Sequence, residues 1–462
     1  MAKSEDVVHF VMGKIGNGEL KAGDRLPTHR DMAWDQKCSV GTVTRAYAEL
    51  ERRGVTYGQV GRGTYVFGTQ QDNEHVGRGM FLPIDNEALS EPGIFADLSL
   101  NSFHHPDLGA SYKSAFEMLS NHGPQSGYRS YFDCRGRPSD RHYASQWLEH
   151  LIGEVNGNNI LITQGAQSGL YSAMAALTNT GDSIATEAYG YPGIKAAAQE
   201  LGLRISAIEM DDLGMIPEAF EAAVKRGKIR LLVTVPTNHN PTGTTVPIER
   251  RRKIIRIAQD HNVLILEDGV YGPLQVKEVP TYRELCPETG LYLTSFSKVF
   301  SPGLRVGYLV APENLIPRLV SRLTAVNWMT SPITLDISNY LLDTKVIQKY
   351  EADHKKECEK RFVFAKNLLK PWLSEAVVES GVYLPHLWAR LPTSLASSAM
   401  IEQARSEGIA LIGGDRFAMN RQLDDHFVRI CLMAVPKFED FQRAITILYR
   451  ILSGKTAAAL IS

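Results

Sequence analysis

Apolar residues recur along this chain with two different periods, and the change of period divides it. Near the start, Val7, Val8, Val11 and Ile15 fall at helical spacing before the glycines at Gly16 and Gly18 end the run. Thr28-His29-Arg30-Asp31 then has the form of an N-cap with an acidic residue three positions on, which predicts a short second helix through Trp34. Ser39 caps a third helix, with Val43, Ala46, Tyr47 and Leu50 as its apolar stripe and Gly54 as its stop. Residues 55–67 alternate around Gly58, Gly61 and Gly63 and predict a β-hairpin. From about residue 94 the pattern changes: helical periods alternate with the short apolar runs NNILIT, DSIATE, RLLVTVP, VLILED, LYLTSF and RVGYLV. Such alternation predicts an α/β body on a largely parallel sheet, with its site at the carboxyl ends of the strands. Between the two patterns, residues 69–93 are polar and keep no period, so they read as a tether. The expected organisation is therefore a head at 1–68, a linker at 69–93 and a body at 94–462, with a smaller C-terminal subdomain from about residue 330.

Composition adds exclusions. The 462 residues are 44% hydrophobic and 22% charged, ordinary globular values, and no apolar run is long enough to cross a bilayer. The opening MAKSEDVVHF is neither a signal nor a transit peptide, so the cytoplasm is the expected location. Five scattered cysteines lack metal-ligand spacing and read as reduced thiols, with no metal expected. A net charge of −1 excludes nucleic-acid binding through sheer positive charge along the whole chain. The head is only mildly basic, with ten Lys and Arg against eight Asp and Glu, so any DNA binding rests on placement.

Helix, helix, turn, helix and hairpin is the order of a winged helix-turn-helix. On that reading Ser39, Gly41, Thr42, Thr44 and Arg45 occupy the outward N-terminal face of the third helix, the part that enters a major groove. Arg30 would reach a guanine edge or a phosphate, and Arg62 on the hairpin tip the backbone or minor groove. The alternative is a small helical cap on an enzyme, with its arginines merely solvated. The segments LPTHRDMA, SVGTVTRAYAELERRG and GRGTYV resemble, in order, the three recurring pieces of the GntR-type winged helix, and that resemblance implies double-stranded DNA as a partner.

In the body, SFSKVFSPGLRVGYLV (Ser295 to Val310) sets a lysine between serines and an arginine in a Pro-Gly turn. An amine makes a Schiff base with an aldehyde cofactor, and a guanidinium with hydroxyls holds that cofactor's phosphate, which is what pyridoxal 5'-phosphate requires. Lys298 is the candidate amine and catalytic residue; Ser295, Ser297 and Arg305 are candidate phosphate ligands. In ITQGAQSGL the backbone N–H groups of Ala166 and Gln167 open a helix after Gly165 and would face an anion. Asp268 ends an apolar run and would hold the pyridine nitrogen protonated, while Tyr271, three positions on, would bond the ring oxygen. Asn240 in VPTNHNPTG would present an amide to the same oxygen, and Tyr191 in TEAYGYPG would stack on the ring. Each station alone also reads as an ordinary turn, strand end or packing contact.

Together, SxSKxxxPGLRxG, NPTG and the Asp-x-x-Tyr pair resemble fold-type I pyridoxal-phosphate enzymes, the aminotransferase superfamily, over roughly residues 95–455. That resemblance implies a homodimer in which Tyr131 reaches the neighbouring subunit's phosphate, and a substrate carboxylate bound by Arg429. A GntR-like head on such a body is similar to the MocR-type transcriptional regulators. What this implies is a dimeric regulator whose body senses an amino compound, or the cofactor itself, and moves the heads. Tyr189 stands where these families usually carry proline, and EDGVYGPL is closer to working aminotransferases. A competent aminotransferase with an accessory head therefore stands as the second reading.

Overall fold

The computed structural model describes residues 4–16, 19–20, 24–52, 55–59, 63–66, 93–122, 128–275, 279–379, 383–420 and 426–454. The chain divides into two compact units, Met1–Ile84 and Asp85–Ser462.

In the first unit three helices, α1 (Ser4–Gly16), α2 (His29–Asp35) and α3 (Val40–Arg52), are followed by an antiparallel pair, β1 (Thr56–Gln59) and β2 (Gly63–Val66). The α2 cap forms as its sequence predicts: the Thr28 side chain accepts the Asp31 N–H. Ser39 Oγ likewise accepts the Thr42 N–H at 3.1 Å and starts α3. Val7, Val8, Val11, Val43, Ala46, Tyr47 and Leu50 are all buried and make one small core with Leu26, Met32 and Val66. Each buried valine, leucine or methionine side chain here contributes about 1.5–3 kcal/mol. Residues 24–26 line β2, with Leu26 N donating to Thr64 O (2.8 Å) and Val66 N to Asp24 O (2.9 Å), which ties the hairpin to the helices. The hairpin turn, and all but the last residue of the linker expected at 69–93, lie outside the described residues.

The second unit opens with the short strand β3 (Ala96–Asp97) and is built on a seven-stranded sheet. Its members are β4 (Ile160–Thr163), β5 (Ser183–Glu187), β6 (Arg204–Ile208), β9 (Ile229–Thr234), β10 (Leu264–Asp268), β11 (Gly290–Ser295) and β12 (Gly307–Val310). A small hairpin, β7 (Met210–Asp211) and β8 (Gly214–Met215), follows β6. The spatial order is β4-β12-β11-β10-β9-β5-β6, parallel except for β12, which runs antiparallel to both its neighbours. Strands β4, β9, β11 and β12 are buried almost throughout, which is why they read as apolar runs without alternation. Edge strand β6 has one buried residue in RISAI and carries little apolar signal.

A separate three-stranded sheet, β13 (His386–Arg390), β16 (Phe427–Cys431) and β15 (Ile412–Gly413), shares a core with the helix Phe438–Ser453. There β14 (Ile409–Ala410) pairs in parallel with β3, so the beginning of this unit is stitched into its C-terminal part. Residues 98–101 leave β3 and run toward Tyr271 and Lys298, as the hydrogen bonds below record.

Among the described residues no helix is long and apolar enough to cross a membrane. All five cysteines are free, and no cluster of His, Cys, Asp and Glu suited to a metal is found among the described residues.

Candidate functional site

Strand ends bring the body's candidate residues together. Thr163 ends β4, Gly165 turns the chain at φ 78, and the helix Ala166–Leu177 begins beside Arg305. Arg305 itself takes a left-handed conformation (φ 53), and its Nη2 donates to Gln164 O at 3.1 Å. The guanidinium lies so close to Gly165 that a Cβ there would sit 2.8 Å from Nη2, and a Cβ on Gly307 would meet Gly165 C at 2.8 Å and Ala166 N at 3.0 Å. Only glycine at these two places keeps the backbone N–H groups and the guanidinium open to an anion. Ser295 closes β11 fully buried and accepts the Ser297 N–H at 3.4 Å.

Asp268 ends β10 buried, with its carboxylate accepting the Val270 N–H at 3.2 Å. Burial raises its pKa to about 6, against the pull of the Lys298 charge. Lys298 donates to the Asn101 backbone oxygen; burial first, then the Arg429 charge, lower the amine to about 8. Tyr191 begins the helix Pro192–Glu200 and is pushed up to about 12 by burial, with Asp268 adding to the shift. Gln167 turns its side chain aside, Nε2 donating to Gly193 O at 3.1 Å, so only its backbone is offered to an anion.

Arg429 on β16 is buried, donating from Nη1 to Asn240 Oδ1 (2.8 Å) and from Nη2 to Ser99 O (2.5 Å), with its guanidinium 4.7 Å from the Phe417 ring. Because Asn240 spends its carbonyl oxygen on Arg429, its NH2 remains the group available to a ligand. Tyr131, by contrast, is solvent-facing at 78% exposure, edge-on to Trp328 at 5.7 Å.

Two residues were missed by sequence reasoning. Asn101 Nδ2 donates to Tyr271 Oη at 2.8 Å and lies 2.9 Å from His386 Nδ1. Asn101 lies outside every motif; for His386, the faint signal was a histidine at the head of a strand that otherwise runs apolar into the core.

In the head, Ser39, Gly41, Thr44 and Arg45 are exposed at the start of α3, and Arg30 is exposed on α2. Thr42 corrects the expectation of an outward face: it is 9% exposed, and its hydroxyl bonds the Ser39 hydroxyl at 2.8 Å. The reason is helical geometry, since Thr42 lies one turn before Ala46 and two before Leu50, on the buried stripe. Thr44 Oγ1 donates to Val40 O at 3.0 Å. Arg62 lies outside the described residues.

Fold and pocket thus define a class: a three-helix, hairpin-bearing head joined to an α/β body with a lysine, a buried carboxylate and an arginine-lined anion cradle at its strand ends. Residues 95–448 match the family Aminotransferase class I and II, and residues 3–66 match the bacterial regulatory proteins of the gntR family. The chain belongs to the class I and II aminotransferase family, and its architecture, with the gntR-type head in front, is the MocR type. Membership implies pyridoxal phosphate, and the glycine-lined cradle, the buried Asp268 and the amine of Lys298 fit that group. Among relatives, the chain is 25% identical to the HTH-type transcriptional regulator TauR of Rhodobacter capsulatus over 91% of this chain and 90% of that protein. It is 26% identical to YjiR of Escherichia coli, an uncharacterized HTH-type transcriptional regulator, over 96% and 97%. Among solved structures, an archaeal alanine:glyoxylate aminotransferase superposes with TM-score 0.72 at 21% identity, over 80% of this chain and 93% of that one. LysN, an alpha-aminoadipate aminotransferase from Thermus thermophilus, does so with TM-score 0.69 at 23% identity, over 82% and 97%.

Proposed function

We propose that the protein is a DNA-binding transcriptional regulator that carries pyridoxal phosphate and changes its DNA affinity when an amino compound enters the body. The relatives named as HTH-type transcriptional regulators support this along nearly the whole chain. The observation that carries it is the exposed polar face of α3, Ser39, Gly41, Thr44 and Arg45, in a head with its own closed core. A DNA-reading head also puts its work in the cytoplasm.

Bound in the body, pyridoxal phosphate supplies an aldehyde that captures amines and a ring that withdraws electrons from them. On this reading the protein's own groups do the rest. Ala166 and Gln167 N–H, Ser295, Ser297 and Arg305 hold the phosphate. Asp268, buried and close enough to Lys298 to feel its charge, would hold the proton on the ring nitrogen. Tyr191 would stack on the ring, and Asn240 and Tyr271 would bond its oxygen. Lys298, with its amine near 8, gives and takes protons close to neutral pH. Arg429, held by Asn240 and Ser99, takes a carboxylate of the amino compound. The exposed Tyr131 would reach the phosphate of a second copy of the chain in a homodimer, and its solvent-facing ring is compatible with that role.

A second reading, a working aminotransferase with an accessory head, is favoured by the intact set of Lys298, Asp268, Tyr271, Asn240, Arg305 and Arg429. One pair of assays separates the two. The loaded protein is given an amino donor and a keto acceptor, and in parallel a DNA duplex selected from a random pool. Selective duplex binding that the donor shifts supports the regulator. Sustained keto-acid release over many turnovers, with no selective duplex, overturns it in favour of the enzyme.

A further inference from the structure

The hydrogen bonds around Asn101 fix the direction of every proton but one. His386 Nε2 lies 3.0 Å from the His239 carbonyl oxygen, which can only accept, so Nε2 carries the hydrogen. Burial lowers the imidazole to about 3, so the ring is neutral and Nδ1 holds a lone pair. The Asn101 atom 2.9 Å from Nδ1 must then be the amide nitrogen, and the other hydrogen of that NH2 goes to Tyr271 Oη at 2.8 Å. Tyr271 is therefore an acceptor toward Asn101, and its own proton stays free for the pocket. Were the amide turned over, Asn101 Oδ1 would take the phenol's proton instead. The Asn101 backbone oxygen also accepts from Lys298, so amine and phenol are referred to the same residue.

We propose that His386, acting through the Asn101 amide, is a positioning residue that keeps the Tyr271 hydroxyl a donor toward the cofactor carried on Lys298. This rests on the cofactor reading above. It adds a residue outside the family motifs whose effect travels through Asn101 and Tyr271.

A pH titration of the visible absorption of the loaded full-length protein tests it. A hydroxyl donating to the ring oxygen draws negative charge away from the neighbouring protonated nitrogen, so losing that donor raises the midpoint. Tyr271→Phe sets the upper limit. His386→Phe keeps the ring shape but frees the amide to turn and capture the phenol's proton. Its midpoint is expected to rise by roughly one pH unit. Adding Asn101→Leu to His386→Phe removes the capturing oxygen and brings the midpoint back toward the wild type, which a mere packing defect would not do. The relay is overturned if His386→Phe titrates like the wild type while Tyr271→Phe does not, or if the double variant fails to return. If His386→Phe does not fold, Asn101→Asp replaces it: its acceptor oxygens raise the midpoint, and an unchanged midpoint overturns the proposal. A wild type that takes up no cofactor overturns the cofactor reading itself; a wild type that loads and titrates leaves that reading standing whatever the variants do.

Discussion

At the scale of single residues, the body depends on side chains that are absent as much as on those present. Gly165 leaves room for the Arg305 guanidinium, and a methyl group there would lie 2.8 Å from Nη2 on a backbone at φ 78. Gly165→Ala is therefore expected to weaken pyridoxal-phosphate binding at least ~10-fold, about 1.4 kcal/mol, in a fluorescence titration of the apo protein. Unchanged affinity would mean that the anion sits elsewhere. Lys298 gives a second expectation with a definite sign. Its amine is lowered from the usual 10.5 to about 8, and only the neutral form attacks an aldehyde. The rate at which apo protein takes up added pyridoxal phosphate should climb with pH and level off above about 8; a flat profile would contradict the lowered amine. Both Gly165 and Lys298 were legible in the sequence because each sits in a motif whose spacing has a chemical reason. Thr42 was not, because small polar residues at a helix start look alike whichever way they face. Asn101 was not, because its partners are 170 and 285 positions away.

At the scale of elements, strand ends supply the site and the turns after them are braced from behind. Arg251, fully buried, donates from Nη2 to Pro236 O (3.1 Å) and Thr237 Oγ1 (2.8 Å) and from Nε to Val246 O (3.0 Å), bracketing the loop that carries Asn240. It also lies 3.5 Å from Glu267, whose carboxyl burial raises to about 7 and which occupies the opposite face of β10 from Asp268. Removing one member of a buried charged pair leaves the other uncompensated. Arg251→Ala is expected to cost about 3–5 kcal/mol in urea unfolding. A cost under about 1 kcal/mol would show that the loop holds itself. Six strands of the main sheet were readable as apolar runs because both their faces are covered. The edge strand β6 escaped, since a strand half open to solvent keeps too few apolar positions to stand out.

At the scale of the whole molecule, two units with separate cores carry the two halves of the proposed function. The change from helical periods to alternating runs and helices falls near the boundary of the two units at Ile84 and Asp85, and the aperiodic residues expected to be a tether lie almost wholly outside the described residues. In the head, Arg45 is exposed near the start of α3. Arg45→Ala is expected to weaken binding to the selected duplex by about 1–3 kcal/mol while leaving cofactor uptake unchanged, as read by anisotropy and absorbance on the same sample. Equal loss of both would mean that the variant had unfolded rather than lost a contact.

On the proposed function, chemistry at Lys298 governs what the head binds. The most direct measurement is the anisotropy of the labelled duplex with cofactor-loaded wild type and with Lys298→Ala, each titrated with an amino-acid panel. At least one amino compound is expected to shift the wild-type affinity by ~5-fold or more and to leave Lys298→Ala unmoved. An equal shift in both proteins, or none in the wild type while keto acid accumulates, would contradict it.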